Sequence, residues 1–188
     1  IHNMKILREL KVAPCPRTKA KTCQCEEVNT ITEAEGFISA KCELEQSDTV
    51  KGMIALMQST KGGPTLIKGR IIGLTPGEHG FHIHEFGDLS NGCETAGAHY
   101  NPDDVDHGDL DKGHVGDLEN VVADKNGVAE FTIKATRVDL IGERSVVGRS
   151  IVIHADDDDL GMGGDAESLK TGNAGDRLAC GVIALTEG

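Results

Sequence analysis

From Ala129 to Ala135 the chain alternates with a period of two. Ala129, Phe131, Ile133 and Ala135 fall on one side, and Glu130, Thr132 and Lys134 on the other. That is the period of a strand with one face buried, whereas a helix would place its apolar residues three and four apart. The turn Asp124-Lys125-Asn126-Gly127 stands just before it, with Val121-Val122 ahead of the turn, so the stretch reads as a hairpin on an Asn-Gly signal. Similar short runs recur at Phe37 to Leu44, Met53 to Met57, Leu66-Ile67, Ile71-Ile72, Ser150 to His154 and Cys180 to Leu185. About eight short strands parted by turn signals predict an all-β chain, an eight-stranded antiparallel Greek-key sandwich or barrel. The 24 glycines, the absence of Trp and the 3% aromatic content agree with strands and loops rather than a helical bundle. Two long weakly apolar segments, 87–116 and 155–179, interrupt the pattern, and loops of that length in a compact domain usually carry function.

The formal net charge is -12. It excludes nucleic acid and an anionic membrane surface as expected partners, since both are met by basic patches. No apolar run is long enough for a transmembrane helix. If the substrate is an anion, a local positive spot must attract it against a repulsive background.

Residues 1–35 differ from the rest. Lys5, Arg8, Lys11, Arg17, Lys19 and Lys21 cluster there with Pro14, Pro16 and three of the six cysteines, Cys15, Cys23 and Cys25. The segment reads as an N-terminal extension stapled by disulfides, ahead of a domain at 36–188. Cys23-Gln24-Cys25 is also a spacing that binds copper through thiolates. The even cysteine count and a start at Ile1 rather than Met point to a processed, secreted protein, although the count leaves the pairing open.

The histidines carry the chemistry. His82 and His84 lie two apart in a strand-like run, so both imidazoles share a face about 7 Å apart and can converge on one ion. Two surface histidines on a strand would show the same spacing. His99, His107, His114 and Asp117 follow in a Gly- and Asp-rich loop; three imidazoles and a carboxylate make the closed shell that tetrahedral zinc prefers. A solvated polar loop has a similar composition. His154 closes the run Ile151-Val152-Ile153, a place that suits a ligand or a rim residue equally. His2 and His79 have no partner by spacing and are read as non-ligands.

Taken together, these residues resemble the Cu/Zn superoxide dismutase family. Gly80-Phe81-His82-Ile83-His84-Glu85-Phe86-Gly87-Asp88 looks like its first signature. Gly172-Asn173-Ala174-Gly175-Asp176-Arg177-Leu178-Ala179-Cys180-Gly181-Val182 looks like its second. Between them lie Ala96 to Pro102 and His114 to Leu118, and the likeness runs from about 36 to 186. The resemblance implies a β-sandwich, an architecture of which this family is a standing example. It implies copper ligands His82, His84, His99 and His154, and zinc ligands His99, His107, His114 and Asp117, with His99 shared. It further implies a Cys93–Cys180 disulfide, Arg177 above the copper, and Asp158 tying the two ligand sets together. Lys170 and Glu167 fall in the matching electrostatic loop, and Cys42 matches a buried free thiol of the first core strand.

The implied activity is dismutation of superoxide to oxygen and hydrogen peroxide with copper and zinc as cofactors. Arg177 and His99 are the catalytic side chains, and the implied assembly is a homodimer or a larger homo-oligomer. An extracellular metal-binding or structural plasma protein on the same fold is the alternative, and a copper chaperone using Cys23-Gln24-Cys25 a third. The chain departs from the family pattern in places. The interval between His107 and His114 is two residues shorter than is usual. Ala98 and Tyr100 replace a frequent Pro and Phe, and Asp156 to Asp159 form an acidic run near the expected path of an anion.

Overall fold

A computed structural model describes residues 36–187. The extension with Cys15, Cys23 and Cys25, and His2, lies outside the described residues. The chain forms β1 (Phe37–Leu44), β2 (Lys51–Ser59), β3 (Thr65–Ile72), β4 (Gly77–His84), β5 (Ser90–Cys93), β6 (Asp117–Ala123), β7 (Val128–Ala135), β8 (Ser150–His154), β9 (Arg177–Val182) and β10 (Ala184–Leu185). A short 3-10 turn at Glu94–Ala96 and the one-turn helix α1 (Ser168–Thr171) are the described helical pieces. Two antiparallel sheets result, β10-β1-β2-β3-β7 and β6-β4-β8-β9. Eight longer strands make the expected sandwich, the short β10 extends the first sheet beside β1, and β5 lies outside both sheets.

Alternation decides which face of each strand is buried. In β2, Ile54, Leu56 and Gln58 are buried while Met53, Ala55 and Met57 face solvent. Leu66-Ile67 and Ile71-Ile72 belong to the single strand β3, bridged by Lys68-Gly69-Arg70. Gly69 stands opposite Phe131, and a Cβ there would overlap the ring. Without one, Phe131 lies over β3 and meets Phe81 edge-on, with centroids 5.0 Å apart. Phe81, Ile83, Ile54, Ile67, Ile151 and Ile153 are fully buried between the sheets. Each such side chain contributes about 1.5–3 kcal/mol of transfer free energy.

One local expectation needs correction. The Asp124–Gly127 turn is present, with Gly127 N donating to Asp124 O at 2.9 Å. Yet β6 pairs with β4 and β7 with β3, so the turn passes the chain between sheets instead of closing a paired hairpin. Asn-Gly chemistry sets the reversal; burial of Val121 on one side and Ala129 on the other then assigns the strands to different sheets.

Candidate metal centre

The second sheet assembles the site. In β4, Phe81 and Ile83 point into the core, so the intervening His82 and His84 point to the opposite face, where the two long loops cover them. His154 ends β8, the neighbour of β4, and Arg177 opens β9 directly opposite His154 across a bulge. On the other flank, Asp117 at the start of β6 pairs with His82. His99 is drawn in by a short ladder against the end of β4. Glu85 N donates to Ala98 O, and Tyr100 N to Ile83 O, both at 2.8 Å. All seven proposed ligand residues are buried.

Two four-residue groups arise, each with ligand atoms within 4.8 Å of one another: His82, His84, His99, His154, and His99, His107, His114, Asp117. The hydrogen bonds show which ring nitrogens remain. His82 Nε2 faces Asp158 Oδ2 at 2.8 Å, His84 Nδ1 faces Gly97 O at 2.9 Å, and His154 Nδ1 faces Gly175 O at 3.1 Å. Left over are His82 Nδ1 and His99 Nε2, buried without a partner among the described residues, and His84 Nε2 and His154 Nε2, 3.3 Å apart. Around the loop carboxylate, His99 Nδ1 and His114 Nδ1 lie 2.9 and 3.2 Å from Asp117 Oδ1. His107 Nδ1 lies 3.0 Å from Asp117 Oδ2 without hydrogen-bond alignment. Orphaned buried nitrogens are costly unless something else satisfies them. Here they converge in two clusters with imidazole and carboxylate donors that suit copper and zinc.

Electrostatics favour the same occupants. Burial, reinforced by the neighbouring His99, pushes His82 and His84 well below the usual imidazole range. Burial pushes His154 down to about 4 although Gly175 O opposes it. Neutral imidazole is the form that binds metal. Burial alone would raise the Asp117 carboxyl, but His107, His114 and His99 overcome it and hold it far below the ordinary carboxylate range. Burial likewise opposes ionisation of Asp158, and His107 and His82 override it. Asp158 joins the two clusters, taking His82 Nε2 at 2.8 Å and His107 Nε2 at 2.7 Å. Gly172, at φ 64, sits where any Cβ would overlap Asp158 and His107.

Arg177 leans over the His84–His154 side. Its Nη1 donates to Cys93 O and its Nη2 to Gly97 O, both at 2.7 Å. Cys93 is bonded to Cys180, with Cα atoms 5.7 Å apart and 87 residues of separation, which pins the loop that holds Arg177. A cleft of about 640 Å³ opens over His84, His99 and His154, with Arg177, Lys170 and Glu167 among its lining. Cys42 is a buried free thiol whose pKa burial pushes up to about 12, so it stays protonated and inert.

Two supports escaped the sequence. His79, read as a non-ligand, is buried with Nδ1 on His154 O at 2.8 Å and Nε2 on Thr75 O at 2.9 Å. Asn120 clasps the Asp158 backbone from both sides at 2.8 Å. The only signal for either was proximity to a ligand in sequence, three residues before His82 and three after Asp117.

The copper/zinc superoxide dismutase family model matches residues 50–183. Copper-zinc superoxide dismutase A of Xenopus laevis is 54% identical over 152 residues, covering 79% of this chain and 99% of the frog protein. The copper-zinc superoxide dismutase of Onchocerca volvulus is 52% identical over 145 residues, 74% of this chain and 92% of that protein. Copper-zinc superoxide dismutase 2 of Mesembryanthemum crystallinum is 49% identical over 153 residues, 80% of this chain and 97% of that protein. A sandwich with two convergent ligand clusters sharing one histidine, in a chain matched over this length, leads to one conclusion: the chain belongs to the copper/zinc superoxide dismutase family.

Proposed function

We propose that this chain dismutates superoxide, two superoxide ions and two protons giving oxygen and hydrogen peroxide. Copper would be held by His82, His84, His99 and His154, and zinc by His99, His107, His114 and Asp117. The observation that carries the reading is that His99 belongs to both clusters, Nδ1 turned to Asp117 and Nε2 left free on the other side. Bound copper would supply one-electron exchange, and zinc, without redox chemistry, would anchor the loop ligands.

The chain's own residues do the rest. The Arg177 guanidinium is a permanent cation, fixed by two carbonyls and beside the cleft floor, so it can hold an anion next to His84 and His154. Lys170 adds positive charge to the cleft, and focusing in a narrow cleft raises the arrival rate of an anion despite the overall negative charge; superoxide dismutases are established cases of such steering. His99 also lines the cleft, and its Nε2 has no hydrogen-bond partner among the described residues, which places it to pass a proton to reduced substrate. Asp158 keeps His82 and His107 in register from behind.

An extracytoplasmic setting is part of the proposal, supported by the Cys93–Cys180 bond and by three further cysteines near the N-terminus. So is a homodimer, supported by exposed Phe86, Val182 and Leu185; sedimentation would show a mass of two chains.

The decisive experiment is superoxide decay after pulse radiolysis, on protein with copper and zinc quantified. Rapid decay that slows about tenfold to a hundredfold in Arg177→Ala, at unchanged copper content, is the expected result. A negligible rate at full copper loading would overturn the enzyme reading in favour of metal carriage.

A further inference from the structure

The loop bearing His99, His107 and His114 has few fixings of its own. Among the described residues, the backbone from 101 to 113 makes one hydrogen bond to backbone elsewhere, His107 N to Leu169 O at 2.9 Å. Two arginines from the connection between β7 and β8 meet this loop. Arg137 donates through Nη1 to Gly113 O and through Nη2 to Asp103 Oδ2 at 3.0 Å. Arg144 Nη2 reaches the same Asp103 oxygen at 2.7 Å. One guanidinium thus spans both ends of the loop. Asp103 lies between His99 and His107, and Gly113 immediately precedes His114.

The platform behind the arginines is firm. Val138, Leu140 and Val146 are buried, Thr65 Oγ1 donates to Val138 O at 2.6 Å, and buried Gln58 accepts from Leu140 N at 2.8 Å. The Arg137 and Asp103 side chains are only 24% and 32% exposed, so the pair is better shielded than the exposed ion pairs that contribute little.

We propose that Arg137, acting with Asp103 and Arg144, is a positioning device that holds the His107–His114 loop in its metal-binding shape and governs zinc retention. The proposal rests on reading His99, His107, His114 and Asp117 as the zinc site. Ordering a loop costs conformational entropy at every residue. A loop already held in shape by Arg137 presents a larger competent fraction to the metal, and apparent affinity scales with that fraction. His82, His84 and His154 stand in sheet ladders that Arg137 does not touch, and His99 has its own ladder to Ile83. Loss of Arg137 therefore separates the two metals.

The test uses the whole chain loaded with one copper and one zinc, challenged with a chromogenic chelator while release of each metal is timed. Arg137→Ala is expected to speed zinc release about tenfold with copper release unchanged. Asp103→Asn is expected to speed it less, and the double variant to fall short of the product of the two, because the residues act as one unit. Arg137→Lys is expected to lie between, since one ammonium cannot reproduce a two-pronged fork; should Arg137→Ala not fold, this variant and Asp103→Asn decide. Unchanged zinc release, or zinc and copper lost faster by the same factor, would overturn the proposal. A wild-type protein that takes up no zinc would refute the zinc-site reading itself, and the positioning role with it.

Discussion

The two halves of the metal centre are built on different physics. His82, His84 and His154 stand on adjacent strands, where backbone ladders and a packed core fix them before any ion arrives. His107 and His114 sit in irregular chain, gathered around one carboxylate, with Asp158 and Arg137 pressing from outside. The difference shows in proton affinity too. Burial drives the strand histidines down, whereas two carboxylates reverse the effect of burial on His107 and raise it. On the proposed assignment of copper to the strand side and zinc to the loop side, the centre gains rigidity for the ion that exchanges electrons and depends on a few polar contacts for the ion that anchors.

The largest effect expected from breaking this contrast is at Asp117. It is fully buried, meets three imidazoles, and accepts from His114 N at 2.7 Å and Gly108 N at 3.2 Å. Asp117→Asn removes the charge that gathers the loop. Zinc affinity should fall by about a thousandfold, the scale for stripping one partner from a buried charged pair, while copper stays bound. Competition titration with a zinc chelator measures it; equal loss of both metals would mean the halves are not separable.

A smaller effect concerns pH in the metal-free protein. His154 is held at about 4, below its value in an unfolded chain, so between those limits the unfolded state binds more protons. Stability from this side is fully present above about pH 6.5 and declines as pH falls towards 4, by about 3 kcal/mol for His154 alone. His107 has the opposite sign, since its raised pKa gives stability that is present in acid and lost as pH rises through its folded value. Urea unfolding of apo-protein from pH 4 to 10 should show both limbs, with the acid limb flattened in His154→Gln. A flat profile between pH 7 and 5 would contradict the assignment.

The smallest effect sharpens the strand side. Glu119, exposed and between Asp117 and Asn120, has φ 69, a left-handed conformation that disfavours side chains with a Cβ. Glu119→Gly should raise stability by about 1 kcal/mol in denaturant unfolding, with both metals retained. A loss of stability would show that the side chain contributes more than its backbone costs.

Much of this was legible in the residues because strand periodicity and ligand spacing are local. Alternation at Ala129 to Ala135 gave β7, and His82-Ile83-His84 gave two imidazoles on one face. The Cys93–Cys180 bond and the Asp158 link came only through family likeness, since nothing in spacing pairs residues so far apart. The sheet change after Asn126-Gly127 was hidden because the turn encodes a reversal and not the partner strand. Arg137 and Asp103 were hidden as well: a contact between positions 103 and 137 leaves no periodic trace, and an arginine after a strand looks like any solvated residue.

The division between a strand-built copper half and a loop-built zinc half is tested most directly by diffraction from metal-loaded crystals at the copper and zinc absorption edges. The account predicts copper among His82, His84 and His154, zinc among His107, His114 and Asp117, and His99 between them with Nε2 towards copper and Nδ1 towards zinc. Copper found among the loop ligands, or a single metal with His107 and His114 unliganded, would contradict it.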